Sequence, residues 1–283
     1  MNSEFKTVFS NVKWSDDFYR FLQVIFHLYP EDKFHHLIAT ITKEKNTDEE
    51  IYKLIQENLP KIKPFLSEFT LALPALKKQK KEMSKQVLQL LGNKKQINGY
   101  LEIGSTGRYI SDLRKHITLS GSVFLTNDIE PSNAIGDIFE RGQISKIGKF
   151  IPLYNYQPIK QSDIADESID LITCHIGLHH CPHDLLDGYI KSLYRILRKG
   201  GLFIMRDHDV KSNEMATFVS LVHTVFNLGL NVSWETDQSE FKSFKSIDEW
   251  SRILSSYGLK DSGARILQDK DPSDNTLVSF TKL

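Results

Sequence analysis

The stretch Leu101-Glu-Ile-Gly-Ser-Thr-Gly-Arg108 decides the fold, because an apolar strand runs into a glycine turn and then into a helix. Gly104 and Gly107 lack a Cβ, so the backbone can approach a ligand closely. The helix behind the turn supplies free N–H groups. We expect Ser105 to bind the ligand together with the two glycines, and Glu102 to meet a ligand ammonium group. Structural glycines in a tight turn would look the same, so the turn alone does not identify a ligand.

Strand-like apolar runs alternate with helical ones from about residue 99 onward. The predicted strands are 100–103, 123–126, 150–154, 169–174 and 202–205, and the predicted helices are 109–116, 185–197 and 214–228. Such alternation indicates βαβ units and a parallel sheet covered on both faces.

The C-terminal end of the chain breaks this rhythm. Ser246 and Glu249 form a capping-box pattern that opens a helix over 250–257. Two strand-like runs follow, 264–267 and 277–281, joined by a polar linker. We predict an α/β fold with a Rossmann-like, doubly wound seven-stranded sheet that closes with an antiparallel hairpin.

The first 90 residues carry helical rather than strand-like periodicity. Phe18, Phe21 and Leu22 recur at helical spacing, and so do Ile51 and Ile55. We therefore predict two domains, a helical domain over residues 1–92 and the sheet domain over residues 93–283. The helical domain is expected to act as a lid or to select the substrate.

Asp128 stands at the end of the second predicted strand, about 20 residues past the glycine turn. A carboxylate at that place accepts hydrogen bonds from the hydroxyls of a ribose. Glu130 is the fallback candidate, and a surface acid in a loop is the structural alternative. Because both features lie in one βαβ unit, ribose binding is the preferred interpretation.

Four segments in this order resemble the class I S-adenosylmethionine-dependent methyltransferases. They are the glycine turn with Asp128, then Asp166-Glu-Ser-Ile-Asp-Leu-Ile172, Gly177-Leu-His-His180 and Leu193-Tyr-Arg-Ile-Leu-Arg-Lys-Gly-Gly-Leu202. The Leu-His-His loop is similar to that of the ubiquinone/menaquinone-biosynthesis-like, methyltransferase type 11 branch. The resemblance covers residues 99–283. It implies S-adenosyl-L-methionine as the cofactor and methyl transfer to oxygen, nitrogen or carbon as the activity.

The sequence departs from this family in two places. The turn Gly104-Ser-Thr-Gly107 has one glycine and one residue fewer than is common, so the methionine end of the cofactor is expected to be held differently. The family also places an acid after its third strand, against the adenine amino group. Here Asn155 is the candidate, since an amide can pair with adenine as well.

Histidines cluster after the fourth predicted strand, at positions 175, 179, 180 and 183, beside Cys181. We expect His175 to contact the cofactor. His179, His180 and His208 are candidate general bases, because a histidine pKa lies near 7. Zinc is the alternative interpretation, but one chain segment supplies all the ligands, so no metal is expected. Arg206-Asp-His-Asp209 follows the fifth predicted strand and is expected near the acceptor pocket.

Composition limits the partners of this 283-residue chain, which has 36 Lys+Arg and 36 Asp+Glu and therefore no net charge. A neutral chain has no global field to attract nucleic acid or an anionic membrane. Lysines at 77, 78, 80, 81 and 85 are interpreted as a solvated helix face, with phosphate binding as the alternative. Two cysteines do not make a disulfide scaffold. A soluble, cytoplasmic enzyme with a small-molecule acceptor is expected, and no motif specifies its oligomeric state.

Three rival functions stay open. A nicotinamide-dependent oxidoreductase shares the glycine turn, but it would require Gly-x-Gly-x-x-Gly, which the Gly104 turn lacks. A methyltransferase-like protein that only binds its cofactor or a partner would carry the same motifs. A protein methyltransferase is the third rival.

Overall fold

The computed structural model describes residues 3–63 and 73–283, which divide into two compact units. The helical unit comprises the described residues up to Ala75, His208–Phe244 and Leu267–Asn275, and the sheet unit comprises Leu76–Asp207, Lys245–Ile266 and Thr276–Leu283. This division departs from the predicted boundary at residue 92. Residues 76–92 group with the sheet, and two later segments group with the N-terminal helices.

The elements follow one another in a mixed order. The helices are α1 (Glu4–Phe9), α2 (Val12–Phe21), α3 (Glu31–Glu44), α4 (Asp48–Ile62), α5 (Leu73–Leu91), α6 (Ile110–Leu113), α7 (Ile135–Arg141), α8 (His183–Ile196), α9 (Asn213–Gly229), α10 (Trp234–Ser239) and α11 (Ile247–Ser256). A π-helical turn, Leu22–Phe26, follows α2. The strands are β1 (Gln96–Ile103), β2 (Thr118–Asn127), β3 (Lys149–Pro152), β4 (Ile169–Cys174), β5 (Leu197–His208), β6 (Leu259–Asp261), β7 (Ile266–Leu267) and β8 (Asn275–Lys282).

The helical unit is built around aromatic side chains. Phe18, Phe21, Phe34 and Phe218 are all at most 1 % exposed. Burying an aromatic ring of this size removes much apolar surface from water, which stabilises a small helical unit. The structure therefore confirms the predicted helical periodicity of the N-terminal segment.

The sheet unit contains the predicted parallel sheet. Its strand order is β3-β2-β1-β4-β5-β8-β6, and β7 pairs with β8 outside this path. Pairing is parallel from β3 through β5. Ile103 lies beside Cys174, and Cys174 lies beside Met205. The carboxyl ends of these strands therefore meet at one edge of the sheet.

Helices cover both faces of the sheet. On one face, Leu193 of α8 and Trp250 of α11 belong to the same buried cluster as Phe203. On the other face, Val87 of α5 and Ile110 of α6 pack in one cluster with strand residues such as Leu125, Leu171 and Ile204. Strands covered on both faces form the continuous apolar runs from which this fold is predicted.

The antiparallel closure of the sheet is confirmed, but its strands differ in part from the prediction. β8 pairs with β6, with Leu259 beside Lys282 and Asp261 beside Phe280. The predicted strand 264–267 is reduced to the two residues of β7. The pattern misses β6 because Leu259-Lys-Asp261 contains a single apolar residue.

Strand β5 is longer than predicted and ends at His208 rather than Met205. Arg206, Asp207 and His208 are 5 %, 1 % and 5 % exposed. The charged tetrapeptide expected after the strand therefore lies mostly within it, and only Asp209 follows. Charged groups are rarely buried this completely unless they are paired, so the three side chains must be engaged inside the protein.

The lysine-rich stretch lies on α5. Lys77, Lys78, Lys81 and Lys85 are exposed, as expected for a solvated face. Lys80 is buried instead, and its Nζ donates a hydrogen bond to the carbonyl of Phe139 at 3.1 Å. Burial lowers the pKa of Lys80.

Within residues 3–63 and 73–283, no helix has the length and apolar character needed to cross a bilayer.

Candidate functional site

The glycine turn follows β1 directly. Gly104 and Gly107 have φ angles of +74° and +95°, which side chains rarely adopt. A Cβ on Gly104 would lie 2.3 Å from Cδ1 of Ile176. The Gly104 N–H donates to the carbonyl of Thr126 at 2.7 Å, which joins the turn to β2. Both glycines are therefore required by backbone conformation, and Gly104 also by close packing.

Glu102 is fully buried at the end of β1, and protein groups surround its carboxylate. Its oxygens accept hydrogen bonds from the Tyr100 hydroxyl at 2.9 Å, the Tyr109 N–H at 3.1 Å, the Ile110 N–H at 2.8 Å and the Ser105 hydroxyl. Burial raises the pKa of Glu102, and these bonds oppose the rise by favouring the charged form. Glu102 thus caps the helix after the turn, and its contact with a ligand ammonium group stays a prediction.

Ser105 closes the turn on itself. Its hydroxyl donates to Glu102 and accepts hydrogen bonds from the N–H groups of Gly107 at 3.1 Å and Arg108 at 2.9 Å. The side chain therefore shapes the turn. Its contact with a cofactor stays a prediction.

Asp128 is exposed and is the first residue after β2. Because β1 and β2 are neighbouring parallel strands, Asp128 and the glycine turn follow strand ends at the same edge of the sheet. The fallback candidate Glu130 forms an exposed ion pair with Lys146 at 2.9 Å. Asp128 is the better candidate for a ribose, since it follows the strand end directly.

Asn155 lies in a strained turn after β3. Three successive residues, Tyr154, Asn155 and Tyr156, have φ angles of +46°, +53° and +63°. Such left-handed conformations are unfavourable for residues other than glycine and concentrate at functional sites. Asn155 is exposed. The strand order β3-β2-β1 places this turn at the same edge as Asp128 and the glycine turn.

His175 follows β4 and is only 6 % exposed. Within the described residues, neither of its ring nitrogens has a hydrogen-bond partner. Its ring contacts that of Tyr109, with centroids 4.3 Å apart. Burial and the nearby charge of Arg206 lower the pKa of His175 to about 3, so the ring is neutral at physiological pH.

His179 and Asp207 form a buried pair. Nδ1 of His179 lies 2.7 Å from Oδ1 of Asp207, and Oδ2 of Asp207 accepts the Leu178 N–H at 3.0 Å. Gly177 makes the pair possible, because a Cβ there would lie 2.5 Å from the His179 Nδ1. The pairing was not predicted from the sequence, although Asp207 was placed near the acceptor pocket. The available signal was an acid at the end of one strand and a double histidine after the strand beside it.

The other two candidate bases lie in different surroundings. His180 is half-buried, and its ring contacts that of His179 with centroids 4.3 Å apart. His208 belongs to the helical unit, where its Nδ1 donates to the Ser273 carbonyl at 2.8 Å and its Nε2 lies 3.2 Å from Nε2 of His223. The structure therefore brings His179 and His180 together within the sheet unit and pairs His208 with His223 within the helical unit.

The geometry speaks against zinc for three of the five residues that suggested it. In the part of the chain that the structure describes, His175, His183 and Cys181 belong to no group of three ligands whose donor atoms lie within 4.8 Å of one another. The Cys181 thiol lies 3.7 Å from the Pro182 carbonyl, and burial raises its pKa to about 12. A protonated thiol of this kind is a poor metal ligand.

Known proteins resemble this chain in part. Residues 101–205 match the model of a family described as a methyltransferase domain. No curated protein sequence matches the chain.

Solved structures of methyltransferases are similar to the chain at low identity. The CurJ carbon methyltransferase is 14 % identical, with a TM-score of 0.50, over 95 % of this chain and 70 % of its own. The mitomycin 7-O-methyltransferase MmcR is 12 % identical, with a TM-score of 0.48, over 93 % of this chain and 70 % of its own. A Burkholderia thailandensis 1,6-didemethyltoxoflavin-N1-methyltransferase with bound S-adenosylhomocysteine is 12 % identical, with a TM-score of 0.46, over 72 % of this chain and 77 % of its own.

The match of residues 101–205 to a methyltransferase domain indicates S-adenosylmethionine as the cofactor. The residues at the sheet edge fit such a cofactor. Asp128 offers an exposed carboxylate, the glycine turn brings bare backbone to the edge, and His175 carries two buried nitrogens that lack a partner among the described residues.

Proposed function

We propose that this protein transfers the methyl group of S-adenosylmethionine to a small-molecule acceptor at oxygen, nitrogen or carbon. The observation that carries the proposal is the buried His179–Asp207 pair. His179 follows β4 inside the matched segment, and Asp207 lies at the end of β5, two residues beyond residue 205. In open α/β sheets, ligands bind beyond the carboxyl ends of the strands. A base held at that edge is suited to activate an acceptor.

The cofactor would be held by residues that follow three adjacent strands. The turn from Gly104 to Gly107 would receive the nucleoside side of the cofactor closely, with Ser105 shaping the backbone. Asp128 would accept hydrogen bonds from the ribose hydroxyls, and Asn155 would pair with the adenine. When bound, the cofactor supplies a methyl group made electrophilic by a sulfonium.

His179 would act as the general base. Its Nδ1 proton is held by the Asp207 carboxylate, so proton exchange with the acceptor falls to Nε2. The carboxylate fixes the ring orientation and stabilises the imidazolium that forms, as in other His–Asp pairs. General base catalysis of this kind contributes about 100- to 10,000-fold. His180 and His208 are the second candidates.

Orientation of the acceptor would supply much of the remaining rate enhancement, in favourable cases about 7–11 kcal/mol. The role of residues 1–92 in selecting the acceptor belongs to this proposal. So does the ubiquinone/menaquinone-biosynthesis-like branch, which the Gly177-Leu-His-His180 loop supports.

The decisive experiment combines calorimetry with a label. Purified protein is titrated with S-adenosylhomocysteine and, separately, with NAD. It is then incubated with methyl-labelled S-adenosylmethionine and a cell extract divided into small-molecule and protein fractions. We expect S-adenosylhomocysteine to bind and the label to enter the small-molecule fraction.

Each other outcome identifies a rival function. Label in protein would indicate a protein methyltransferase. Binding without transfer would indicate a cofactor-binding protein, and binding of NAD alone would indicate an oxidoreductase. His179→Gln should abolish transfer but not binding, whereas His116→Gln, at an exposed histidine of the same unit, should change neither.

A further inference from the structure

His175 presents an unusual arrangement for a buried polar side chain. The ring is 6 % exposed, and both nitrogens lack a hydrogen-bond partner among the residues that the structure describes. Buried polar groups are satisfied in the large majority of cases, and leaving one unsatisfied costs about 1–3 kcal/mol. An aliphatic residue would avoid this cost. The ring therefore fits a ligand that supplies the missing partners.

The surroundings of His175 define the chemistry of that ligand. Cys174 and Met205 are paired across β4 and β5, and His175 and Arg206 are the residues that follow them on the two neighbouring segments. Burial and the positive charge of Arg206 both lower the pKa of His175, which keeps the imidazole neutral. A neutral imidazole has one N–H donor and one acceptor nitrogen. The location thus combines an acceptor, a donor and a nearby positive charge.

The amino-carboxylate end of S-adenosylmethionine requires such a combination. Its ammonium group needs an acceptor, and its carboxylate needs donors or a positive charge. Glu102 was the predicted acceptor for the ammonium group. However, its carboxylate already takes four hydrogen bonds from Tyr100, Ser105, Tyr109 and Ile110, which fills the roughly four lone-pair positions of a carboxylate.

We infer that His175 and Arg206 form the subsite for the amino-carboxylate end of the cofactor. The acceptor nitrogen of His175 takes a hydrogen bond from the ammonium group, and the positive charge of Arg206 attracts the carboxylate. The ring of Tyr109, whose centroid lies 4.3 Å from that of His175, holds the imidazole in place. This inference rests on the proposed function, and it assigns the amino-carboxylate end of the cofactor to residues at the carboxyl ends of β4 and β5.

Two ligands separate this subsite from the rest of the cofactor site. S-adenosylhomocysteine carries the amino-carboxylate, whereas 5′-methylthioadenosine keeps the nucleoside and the sulfur but lacks it. Calorimetry with both ligands is carried out on the full chain and on His175→Phe, which keeps a ring against Tyr109. We expect the variant to lose about 10- to 100-fold in affinity for S-adenosylhomocysteine, as for a lost hydrogen bond to a charged group. Its affinity for 5′-methylthioadenosine should not change.

A control and a second measurement protect the test from a folding defect. His116→Gln should bind both ligands as the parent chain does. In the unsubstituted protein, the imidazole nitrogen resonances of His175 should shift on addition of S-adenosylhomocysteine but not of 5′-methylthioadenosine. This nuclear magnetic resonance measurement requires no variant.

The possible failures are distinct. The assignment of the subsite is wrong if His175→Phe lowers both affinities equally or lowers neither. It is also wrong if the His175 resonances respond equally to the two ligands. In each of these cases the proposed function still stands. If the unsubstituted protein binds neither ligand, the proposed function fails and the subsite fails with it.

Discussion

Nδ1 of His179 lies 2.7 Å from Oδ1 of Asp207, and this contact joins the loop after β4 to the end of β5. The same carboxylate accepts the Leu178 N–H at 3.0 Å through its other oxygen. The Asp207 side chain thus fixes the orientation of the His179 ring and the position of the loop backbone at Leu178. Because Asp207 is only 1 % exposed, its charge is weakly screened by solvent, which strengthens its effect on the imidazole.

Asp207→Asn should separate catalysis from binding. The amide can still accept the Leu178 N–H, but it cannot stabilise an imidazolium. We expect turnover to fall about 100-fold or more, the scale of general base catalysis, with affinity for S-adenosylhomocysteine unchanged. Single-turnover transfer of labelled methyl and calorimetry measure the two effects. Asp112→Asn, at a carboxylate paired with Lys115 at 2.7 Å, is the control. Full turnover in Asp207→Asn would contradict the assignment of His179 as base.

Gly177→Ala should break the pair by steric contact. A Cβ at Gly177 would lie 2.5 Å from the His179 Nδ1 and 2.8 Å from the Asp207 Oδ2. Gly200 is a matched control, because its φ of +76° is close to the +78° of Gly177 while a Cβ there would meet nothing within 4 Å. We expect Gly200→Ala to lower the free energy of unfolding by about 1 kcal/mol through backbone strain alone.

Comparing the two variants separates the effect of the steric clash at Gly177 from that of backbone strain. Gly177→Ala should lower the free energy of unfolding more than Gly200→Ala, and only Gly177→Ala should lose turnover. Denaturant unfolding and labelled methyl transfer provide the two measurements. Equal turnover in the two variants would show that the geometry of the His179–Asp207 pair is unimportant for activity.

Asp128→Asn should weaken the binding of every ligand that contains the ribose. Loss of the charged acceptor is expected to lower affinity by about 10- to 100-fold. Unlike His175→Phe, this variant should affect S-adenosylhomocysteine and 5′-methylthioadenosine equally, since both carry the nucleoside. Glu130→Gln, which removes the nearby acid paired with Lys146, serves as the control. A larger loss in the control than in Asp128→Asn would move the ribose contact to Glu130.

Much of this site can be predicted from the sequence because its parts follow apolar strands. The glycine turn and Asp128 stand directly after such runs, and the βαβ rule places both at one edge of the sheet. His179 is found through the Leu-His-His loop. These inferences use local pattern and topology alone, which the chain encodes over short distances.

The remaining features depend on contacts between distant residues. The pairing of His179 with Asp207 joins positions 28 residues apart. The end of β5 is buried, but the polar sequence Arg206-Asp-His-Asp209 there is typical of an exposed loop. Glu102 accepts hydrogen bonds from four donors, two of them N–H groups at the start of the helix, and the orientations of these donors arise only on folding. The grouping of His208–Phe244 with the N-terminal helices is likewise a tertiary property.

Asp261 should make the stability of the sheet unit depend on pH in the acid range. Burial tends to raise the pKa of Asp261, but hydrogen bonds from Arg265, Ser251 and the Gly263 N–H outweigh it and lower the pKa to about 2. The ordinary value for the unfolded chain is 3.8. A depressed folded-state pKa stabilises the protein fully above the unfolded value, and this contribution is lost as the pH falls from about 4 towards 2.

The test compares Asp261→Asn with the parent chain at a series of pH values. Because the group is partly solvated, we expect the variant to be less stable by about 1 kcal/mol at pH 7, after allowance for solvent screening. The difference in the free energy of unfolding should shrink below about pH 4, where the parent carboxylate gains a proton. Asp248→Asn is the control, since that carboxylate is 80 % exposed and lies 3.9 Å from the same arginine. A difference that stays constant from pH 7 to 3 would mean that Asp261 contributes through packing rather than through its charge.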